Sequence, residues 1–407
     1  MKCGLLGRKL SHSYSPQIHT FLGDYSYTLF EKEPDEIGEF LQNGDFTAIN
    51  VTIPYKKDVI PFCDQLTDCA RRMGAVNTIV RQKDGSLLGH NTDYFGFRSM
   101  VDRSGLDPKE KKILVIGSGG ASNTAVMVLE DLGANVIVIS HKENVPETLA
   151  LHSDARIIVN ATPVGMYPHN GHSPVDIELF PNLEGVLDMI YNPSRTKLLM
   201  DAEHRGLITE NGLWMLVAQA KEAAEWFTGK SIDDAIISRI HSTLRRQMEN
   251  LILIGMPGCG KSHIGKILAD VLSKEFVDAD ALVEELAGKP IPLIFAESGE
   301  VGFRRLETAV LEQAGKRSGI VIATGGGCVT RAENYPLLHQ NSTICWIRRD
   351  ISKLPTNGRP LSQASSLQSM YQARMPFYKA FSDIQVDNET TPENAAKAIA
   401  SLLDQEA

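Results

Sequence analysis

Short apolar runs alternate with amphipathic stretches along most of the chain, the pattern of strands and helices taken in turn. Runs near residues 3 to 6, 26 to 31, 47 to 53 and 75 to 81 read as strands, with a helix around Asp35 to Leu41. A helix from about Tyr94 to Arg103 leads to the strand Lys112-Ile-Leu-Val-Ile116. A helix with Ala125, Val126, Val128 and Leu129 on its apolar side follows, then strands at Asn135 to Ile139, Ile157 to Val159 and Val186 to Ile190. Beyond Asn211-Gly212 an amphipathic stretch holds Leu216, Val217, Ala220, Ala224, Trp226 and Phe227, and a further helix runs from about Ile232 to Arg246. The apolar run Leu251-Ile-Leu-Ile254 then opens a new strand-to-helix unit, and the absence of a Gly, Pro or Ser run from Arg245 to Asn250 predicts a short joint. The expected class is α/β throughout.

Two glycine turns sit where strands end. Gly255-Met-Pro-Gly258-Cys259-Gly260-Lys261-Ser262-His263 has the P-loop spacing between a strand and the helix carrying Ile264, Ile267, Leu268 and Val271. Backbone N–H groups from Gly258 to His263 would surround triphosphate oxygens of ATP, Lys261 would add a point charge, and the Ser262 hydroxyl would hold Mg²⁺. Gly117-Ser118-Gly119-Gly120-Ala121-Ser122 is a variant dinucleotide fingerprint whose third small residue is Ala or Ser. By itself it also fits a turn that binds nothing. The next strand ends at Ser140-His141-Lys142, where an NAD enzyme would place an acid for the ribose 2′-hydroxyl. The cations there favour NADP, and the neighbouring Glu143 weakens that argument.

Composition suits tandem enzymes. The 407 residues are enough for two or three domains, and 43% hydrophobic content fills several cores. A net charge of −9 without a block of Lys and Arg argues against nucleic acid and anionic membrane partners. Six cysteines without a C-x-x-C pair read as reduced thiols. With no signal peptide expected and no apolar run near 18 residues, the expected location is cytoplasmic.

Polar groups cluster where other strands end. Ser13-Tyr-Ser15-Pro16 puts hydroxyls at a helix entrance, suited to a carboxylate or to an ordinary cap. Asn50-Val-Thr52-Ile-Pro-Tyr-Lys56 and Asn91-Thr-Asp93 place a Lys and an Asp where α/β proteins bind ligands. Brought together, they would pass a proton to a carbonyl oxygen as hydride arrives on its carbon; a surface salt bridge is the plainer reading. In Phe276-Val-Asp278-Ala-Asp280, two carboxylates two residues apart share a side if the segment is a strand end. One would support Mg²⁺ and the other orient a hydroxyl for attack on the γ-phosphate; helix-capping acids are the alternative.

Together with Gly74-Ala-Val-Asn77-Thr, Asn160-Ala-Thr162, Asp188-Met189-x-Tyr191 and Gly212-Leu-x-Met-Leu-Val-Ala-Gln219, the motifs of residues 1 to about 245 resemble shikimate dehydrogenase in that family's order. The resemblance implies Lys56 and Asp93 as the catalytic pair, with Lys56 the proton donor to the C3 oxygen of 3-dehydroshikimate. It also implies Ser13 and Ser15 on the substrate carboxylate, Thr52, Asn77, Tyr191 and Gln219 on the ring hydroxyls or carboxylate, and Met189 and Gly212 at the nicotinamide. That family usually carries Asn-Arg-Thr where this chain has Ser140-His141-Lys142, and Lys142 or His141 would have to replace the Arg on the 2′-phosphate.

Residues 250 to about 390 resemble shikimate kinase through the P-loop, Asp280, Gly302-Phe-Arg304-Arg305-x-Glu307, Thr324-Gly-Gly326-Gly, Gly358-Arg359-Pro-Leu and Ala373-Arg374-x-Pro-x-Tyr378. The resemblance implies that Arg304 and Arg374 clamp the shikimate carboxylate. Gly326 would let backbone approach the ring, Asp280 bind the hydroxyl to be phosphorylated, and Arg359 reach the ATP phosphates from a lid. The stretch from Ile351 to Arg359 is short and lacks the upstream Arg that stacks on adenine. The expected organisation is a substrate domain at 1–100 completed by helices at 211–246, a Rossmann-type NADP domain at 101–210 and a P-loop kinase domain with a parallel sheet at 250–407. The expected function joins NADPH-dependent reduction of 3-dehydroshikimate to ATP-dependent phosphorylation of shikimate. A quinate- and NAD-using first half and a non-catalytic shikimate-responsive protein are the alternatives. Oligomeric state is left open.

Overall fold

In the computed structural model, which describes residues 1–10, 13–140, 142–354 and 367–405, the strands form three sheets. Two lie in a unit made of Met1–Gly165, His172–Tyr191 and Leu198–Thr243. The first has the order β2-β1-β3-β5-β6-β4, with β1 Lys2–Gly7, β2 Ser26–Glu31, β3 Ala48–Val51, β4 Gln65–Leu66, β5 Thr78–Arg81 and β6 Leu87–His90. β1 pairs in parallel with β2 and β3, whereas β5 runs antiparallel to β3 and β6. The central strand β3 is buried along its whole length, and its hydrophobic contacts with Leu6, Leu41 and Tyr55 hold the turn that follows it. β6 was not predicted, because Leu-Leu-Gly-His carries neither a strand period nor β-branched residues.

The helices Asp93–Ser104 and Leu213–Thr228 pack tightly because Gly96 has no Cβ; one there would strike the carbonyl of Met215. The expected start of the first helix at Tyr94 moves to Asp93, which puts that carboxylate on the positive end of the helix dipole.

The second sheet, in the order β11-β10-β9-β7-β8, is parallel throughout. Its strands are β7 Lys112–Ile116, β8 Asn135–Ile139, β9 Ile157–Asn160, β10 Gly185–Asp188 and β11 Ile208–Asn211. β9 and β10 are fully buried, as expected for strands covered on both faces, and Leu114, Ile158, Phe180, Val186 and Leu198 join in its core.

The other unit contains residues 244 to 407 and carries a five-stranded parallel sheet, β13-β14-β12-β15-β16. Its strands are β12 Asn250–Ile254, β13 Glu275–Asp278, β14 Ile320–Ala323, β15 Ser342–Arg348 and β16 Ile384–Asp387. The helix Ala235–Met248 ends one residue short of β12, so the joint is short, as its composition predicted. Among the described residues no helix is long and apolar enough to cross a membrane.

Candidate active sites

Lys56 lies on the turn after β3, and Asp93 opens the helix after β6. Their side chains meet, with Nζ 2.6 Å from Asp93 Oδ2. The turn is pinned by the Tyr55 hydroxyl, which donates to the Lys32 carbonyl at 2.6 Å, so Lys56 hangs from a fixed point. Asp93 Oδ1 accepts from Asn77 Nδ2 at 3.0 Å, and its N–H donates to Asn91 Oδ1 at 2.9 Å.

Asn77 is buried and its amide is fully engaged. Nδ2 also donates to Thr92 Oγ1, while Oδ1 accepts from the Thr92 N–H at 2.8 Å and the Thr78 hydroxyl at 3.0 Å. The resemblance placed Asn77 on the ring hydroxyls or carboxylate of the substrate; in the structure its bonds fix the orientation of Asp93. Gln219 joins the cluster through Oε1, 3.3 Å from Thr92 Oγ1. Thr52, half-buried, is held by its N–H on the Leu6 carbonyl.

Ser13 Oγ accepts from the Ser15 N–H at 3.2 Å, where the helix Ser15–Leu22 begins. Tyr14 between them meets the Tyr191 ring edge-on at 6.2 Å, so both serines share a neighbourhood with Tyr191. Tyr27 lies beside Ser15 and donates to Asn50 Oδ1 at 2.8 Å. Asn50 in turn donates to the Asn77 carbonyl and Thr78 Oγ1, each at 3.3 Å. Tyr27, Thr78 and Thr92 are not marked in the sequence as parts of this network, because each is distant in the chain from a group it orients.

Above the second sheet, Gly117 takes φ +118°, and a Cβ there would press on the Ala161 carbonyl. A Cβ direction at Gly119 or Gly120 meets open space, which leaves their N–H groups and those of Ser118 and Ala121 approachable at the start of the helix Gly120–Asp131. Gly212 packs directly on the Met189 carbonyl, joining the two positions assigned to the nicotinamide. His141 lies outside the described residues. Lys142 is exposed, and Glu143 folds its carboxylate onto the Ser140 hydroxyl at 2.6 Å and N–H at 3.1 Å, bonds that lower its pKa.

In the other unit, Gly260 adopts φ +106° with Asn388 against it, a conformation and a closeness that a side chain would oppose. The Lys261 ammonium is buried against the Gly255 and Met256 carbonyls, at 2.9 and 3.1 Å, and Cys259 is buried beside it. His263 is exposed on the first turn of the helix Lys261–Leu272. The Ser262 hydroxyl donates to Asp278 Oδ2 at 2.7 Å. These hard oxygens, adjacent and accessible, fit Mg²⁺.

One expectation changes. Asp278 ends β13, but Asp280 belongs to the helix Ala279–Ala287, so the pair does not share a strand face. Asp278 Oδ1 caps that helix through the Asp280 N–H at 3.1 Å, which combines the capping reading with the contact to Ser262. Burial raises the pKa of the Asp280 carboxyl, opposed by Lys261 and reinforced by Asp278.

Arg304 is buried between Glu307 at 2.7 Å and Glu300 at 3.1 Å. A Cβ at Gly325 would strike Glu307 and Asp280, and one at Gly327 would strike the Arg304 guanidinium, so this glycine run brings the three side chains together. A Cβ at Gly326 would strike Pro257 of the P-loop, and the Gly326 carbonyl accepts from Arg374 Nη1 at 3.0 Å and from the Tyr378 hydroxyl. Among the described residues Arg304 Nε and Glu307 Oε1 are buried polar atoms without a partner, consistent with a polar substrate at this place. Glu307 was quoted from the sequence without a role; its spacing of three from Arg304 on one helix was the available signal. Arg359 lies outside the described residues. A cavity of about 520 Å³ lined by Arg245, Lys274 and Leu403 lies at the opposite ends of the strands, and none of these site residues lines it.

Comparison with known proteins gives a family match in each half of the chain. The family described as shikimate dehydrogenase substrate binding domain matches residues 5–79, and the shikimate kinase family matches residues 257–404. The shikimate dehydrogenase (NADP(+)) of Caldicellulosiruptor bescii is 38% identical over 259 residues, 56% of this chain and 89% of that protein. A chorismate mutase/shikimate 5-dehydrogenase fusion protein from Clostridium acetobutylicum is 34% identical with a TM-score of 0.56, covering 60% of this chain and 96% of that one. The shikimate 5-dehydrogenase of Thermus thermophilus, solved in complex with NADP(H) and shikimate, is 30% identical with a TM-score of 0.54, covering 60% and 99%.

Proposed function

The chain belongs to the shikimate dehydrogenase family and carries a shikimate kinase domain, and from that premise we propose that it reduces 3-dehydroshikimate to shikimate and phosphorylates shikimate at its 3-hydroxyl. The supporting observation is that each unit pairs a carboxylate with a buried or half-buried cation at the mouth of a sheet: Asp93 with Lys56, and Asp280 in the field of Lys261 and Arg304.

In the first unit, residues 1–100 with the helices at 211–246 bind the acid, and residues 101–210 bind the dinucleotide. Ser13 and Ser15 take the carboxylate, Thr52, Tyr191 and Gln219 surround the ring, and Asn77 beside them holds Asp93 in place. NADPH supplies the hydride when bound on Gly117 to Ala121. Lys56, held by Asp93, gives its proton to the C3 oxygen as the carbonyl becomes an alcohol. Lys142 serves the 2′-phosphate; Glu143, folded back onto Ser140 just beyond β8, is the observation that favours a second reading, NAD in its place.

In residues 250–407, Arg304 and Arg374 hold the carboxylate of shikimate, and Asp280 accepts the proton of the 3-hydroxyl as its oxygen attacks the γ-phosphate. Lys261 and Arg359 steady the phosphates. Mg²⁺, held through Ser262 and Asp278, supplies charge neutralisation. The product of the first reaction is the substrate of the second, and free diffusion connects them. The relevant partners are therefore small molecules, and the protein works in the cytoplasm. Initial rates of the full chain with Lys56→Ala and Lys261→Ala test the assignment: each should abolish one reaction and spare the other. A K56A protein that reduces normally, or a K261A protein that phosphorylates normally, contradicts it.

A further inference from the structure

The cavity of about 520 Å³ at the strand ends away from the phosphate loop lies wholly within the second unit, and its size is that of a small-molecule site. Among its lining residues Leu251 is buried, Leu272 and Leu403 are half-buried, and Val271 is 61% exposed, so an apolar surface stays partly uncovered there.

Two adjacent cations line the same cavity, and both are loosely held. Arg245 Nε is 4.0 Å from Glu249 Oε2, and Arg246 Nη1 is 3.5 Å from Asp404 Oδ1. A charge-assisted hydrogen bond between such groups measures about 2.7–2.9 Å. Glu249 is engaged by the Thr343 hydroxyl, which donates to its Oε1 at 2.7 Å. Lys274 is engaged as well: its ammonium donates to the Arg246 and Gln247 carbonyls, at 2.6 and 3.5 Å, and to the Glu249 carbonyl, closing the end of the helix Ala235–Met248. The two guanidiniums therefore keep donors for a visiting carboxylate.

Negative charge is present at the same place. Leu272 ends the helix Lys261–Leu272, and Leu403 and Asp404 lie in the last turn of the helix Pro392–Gln405. Two helices thus present their negative ends to the cavity, beside the exposed Asp404 carboxylate. These groups suit an ammonium and oppose a multiply charged anion such as phosphate. A simple amine would meet the guanidiniums, and a fatty acid would leave the anionic groups unmatched. A carboxylate, an ammonium and an apolar side chain in one small molecule match all three features.

We infer that this cavity binds a free α-amino acid with a large apolar side chain. Its carboxylate lies on Arg245 and Arg246, its ammonium at Asp404 and the helix ends, and its side chain on Leu251, Leu272 and Leu403. No residue assigned to either reaction lines the cavity, so the inference stands apart from the kinase reading.

Calorimetric titration of the full chain with L-leucine tests this. Binding should saturate at one site per chain. The analogues 4-methylpentanoate, which lacks the ammonium, and 3-methylbutylamine, which lacks the carboxylate, should each bind about 10-fold more weakly or worse. Joint replacement Arg245→Ala and Arg246→Ala should weaken leucine about 10-fold or more, and so should Val271→Trp, which crowds the exposed rim without altering a charge. Thermal melts show whether each variant is folded, and Val271→Trp decides the question if the double variant unfolds. Saturating shikimate should leave leucine affinity unchanged. Absence of saturable leucine binding, equal affinity for either analogue, unchanged affinity in a folded variant, or displacement of leucine by shikimate would overturn the inference.

Discussion

Lys56 and Asp93 meet at 2.6 Å although 37 residues separate them, because one hangs from the end of β3 and the other opens the helix after β6. The pair is half-buried, its carboxylate is steadied by Asn77 from the other side, and among the described residues the ammonium has a single ionic partner. Replacing Lys56 by Ala or Asp93 by Asn should lower kcat for reduction by roughly 10²–10⁴ with a smaller effect on KM. Stopped-flow decay of NADPH absorbance checks this, and a rate within a factor of about two of wild type would count against proton donation by Lys56.

Asn77 separates a positioning role from a binding one. Its amide has no spare hydrogen-bonding capacity, so Asn77→Ala should lower kcat about 10-fold or more while the KM for 3-dehydroshikimate moves little. A raised KM with unchanged kcat would make it a direct ligand of the substrate instead.

In the kinase unit, burial holds the Asp280 carboxyl above the ordinary carboxylate range. The ionised form is needed to take the hydroxyl proton, so the phosphorylation rate should decline on acidification at a higher pH than a solvent-exposed Asp would give. Asp280→Asn should lower the rate by about 10² or more at every pH. A profile of kcat against pH with no acid limb above the usual Asp range would contradict the role of this residue.

His19 gives a prediction about stability. It stacks on Tyr27 at 4.0 Å and on Phe227 at 5.6 Å, its Nδ1 is 2.7 Å from the Tyr25 hydroxyl, and burial lowers its pKa from 6.5 to about 3, with Asn50 acting the other way. Below pH 6.5 the unfolded chain takes up a proton that the folded chain refuses. The stabilisation from neutral His19 is therefore complete above pH 6.5 and is lost as the pH falls toward 3, with a slope approaching about 1.4 kcal/mol per pH unit. Denaturation of His19→Phe between about pH 7 and pH 4.5 should show a correspondingly shallower loss of stability; equal slopes in both proteins would refute this.

Much of this was legible in the chain because phosphate-binding turns depend on local spacing. Gly117 to Ala121 and Gly255 to Ser262 each follow an apolar strand and open a helix in the structure. Pairings across the fold were harder to read. Lys56 and Asp93 were found only because each follows an apolar run, whereas nothing local marks Tyr27 as a partner of Asn50 or Thr92 as a bridge from Asn77 to Gln219. For Asp278 and Asp280 the shared side depended on the strand continuing; alternation holds only while the strand lasts, the helix begins at Ala279, and for Asp278 the helix-capping alternative holds.

The central claim is that one polypeptide carries both reactions in series. The most direct measurement incubates the purified full chain with 3-dehydroshikimate, NADPH, ATP and Mg²⁺, and follows the products by mass spectrometry. The expected result is shikimate 3-phosphate formed with matching consumption of NADPH and ATP, stopping at shikimate when Lys261 is replaced by Ala. Failure to form shikimate from 3-dehydroshikimate, or failure to phosphorylate added shikimate, would contradict the account.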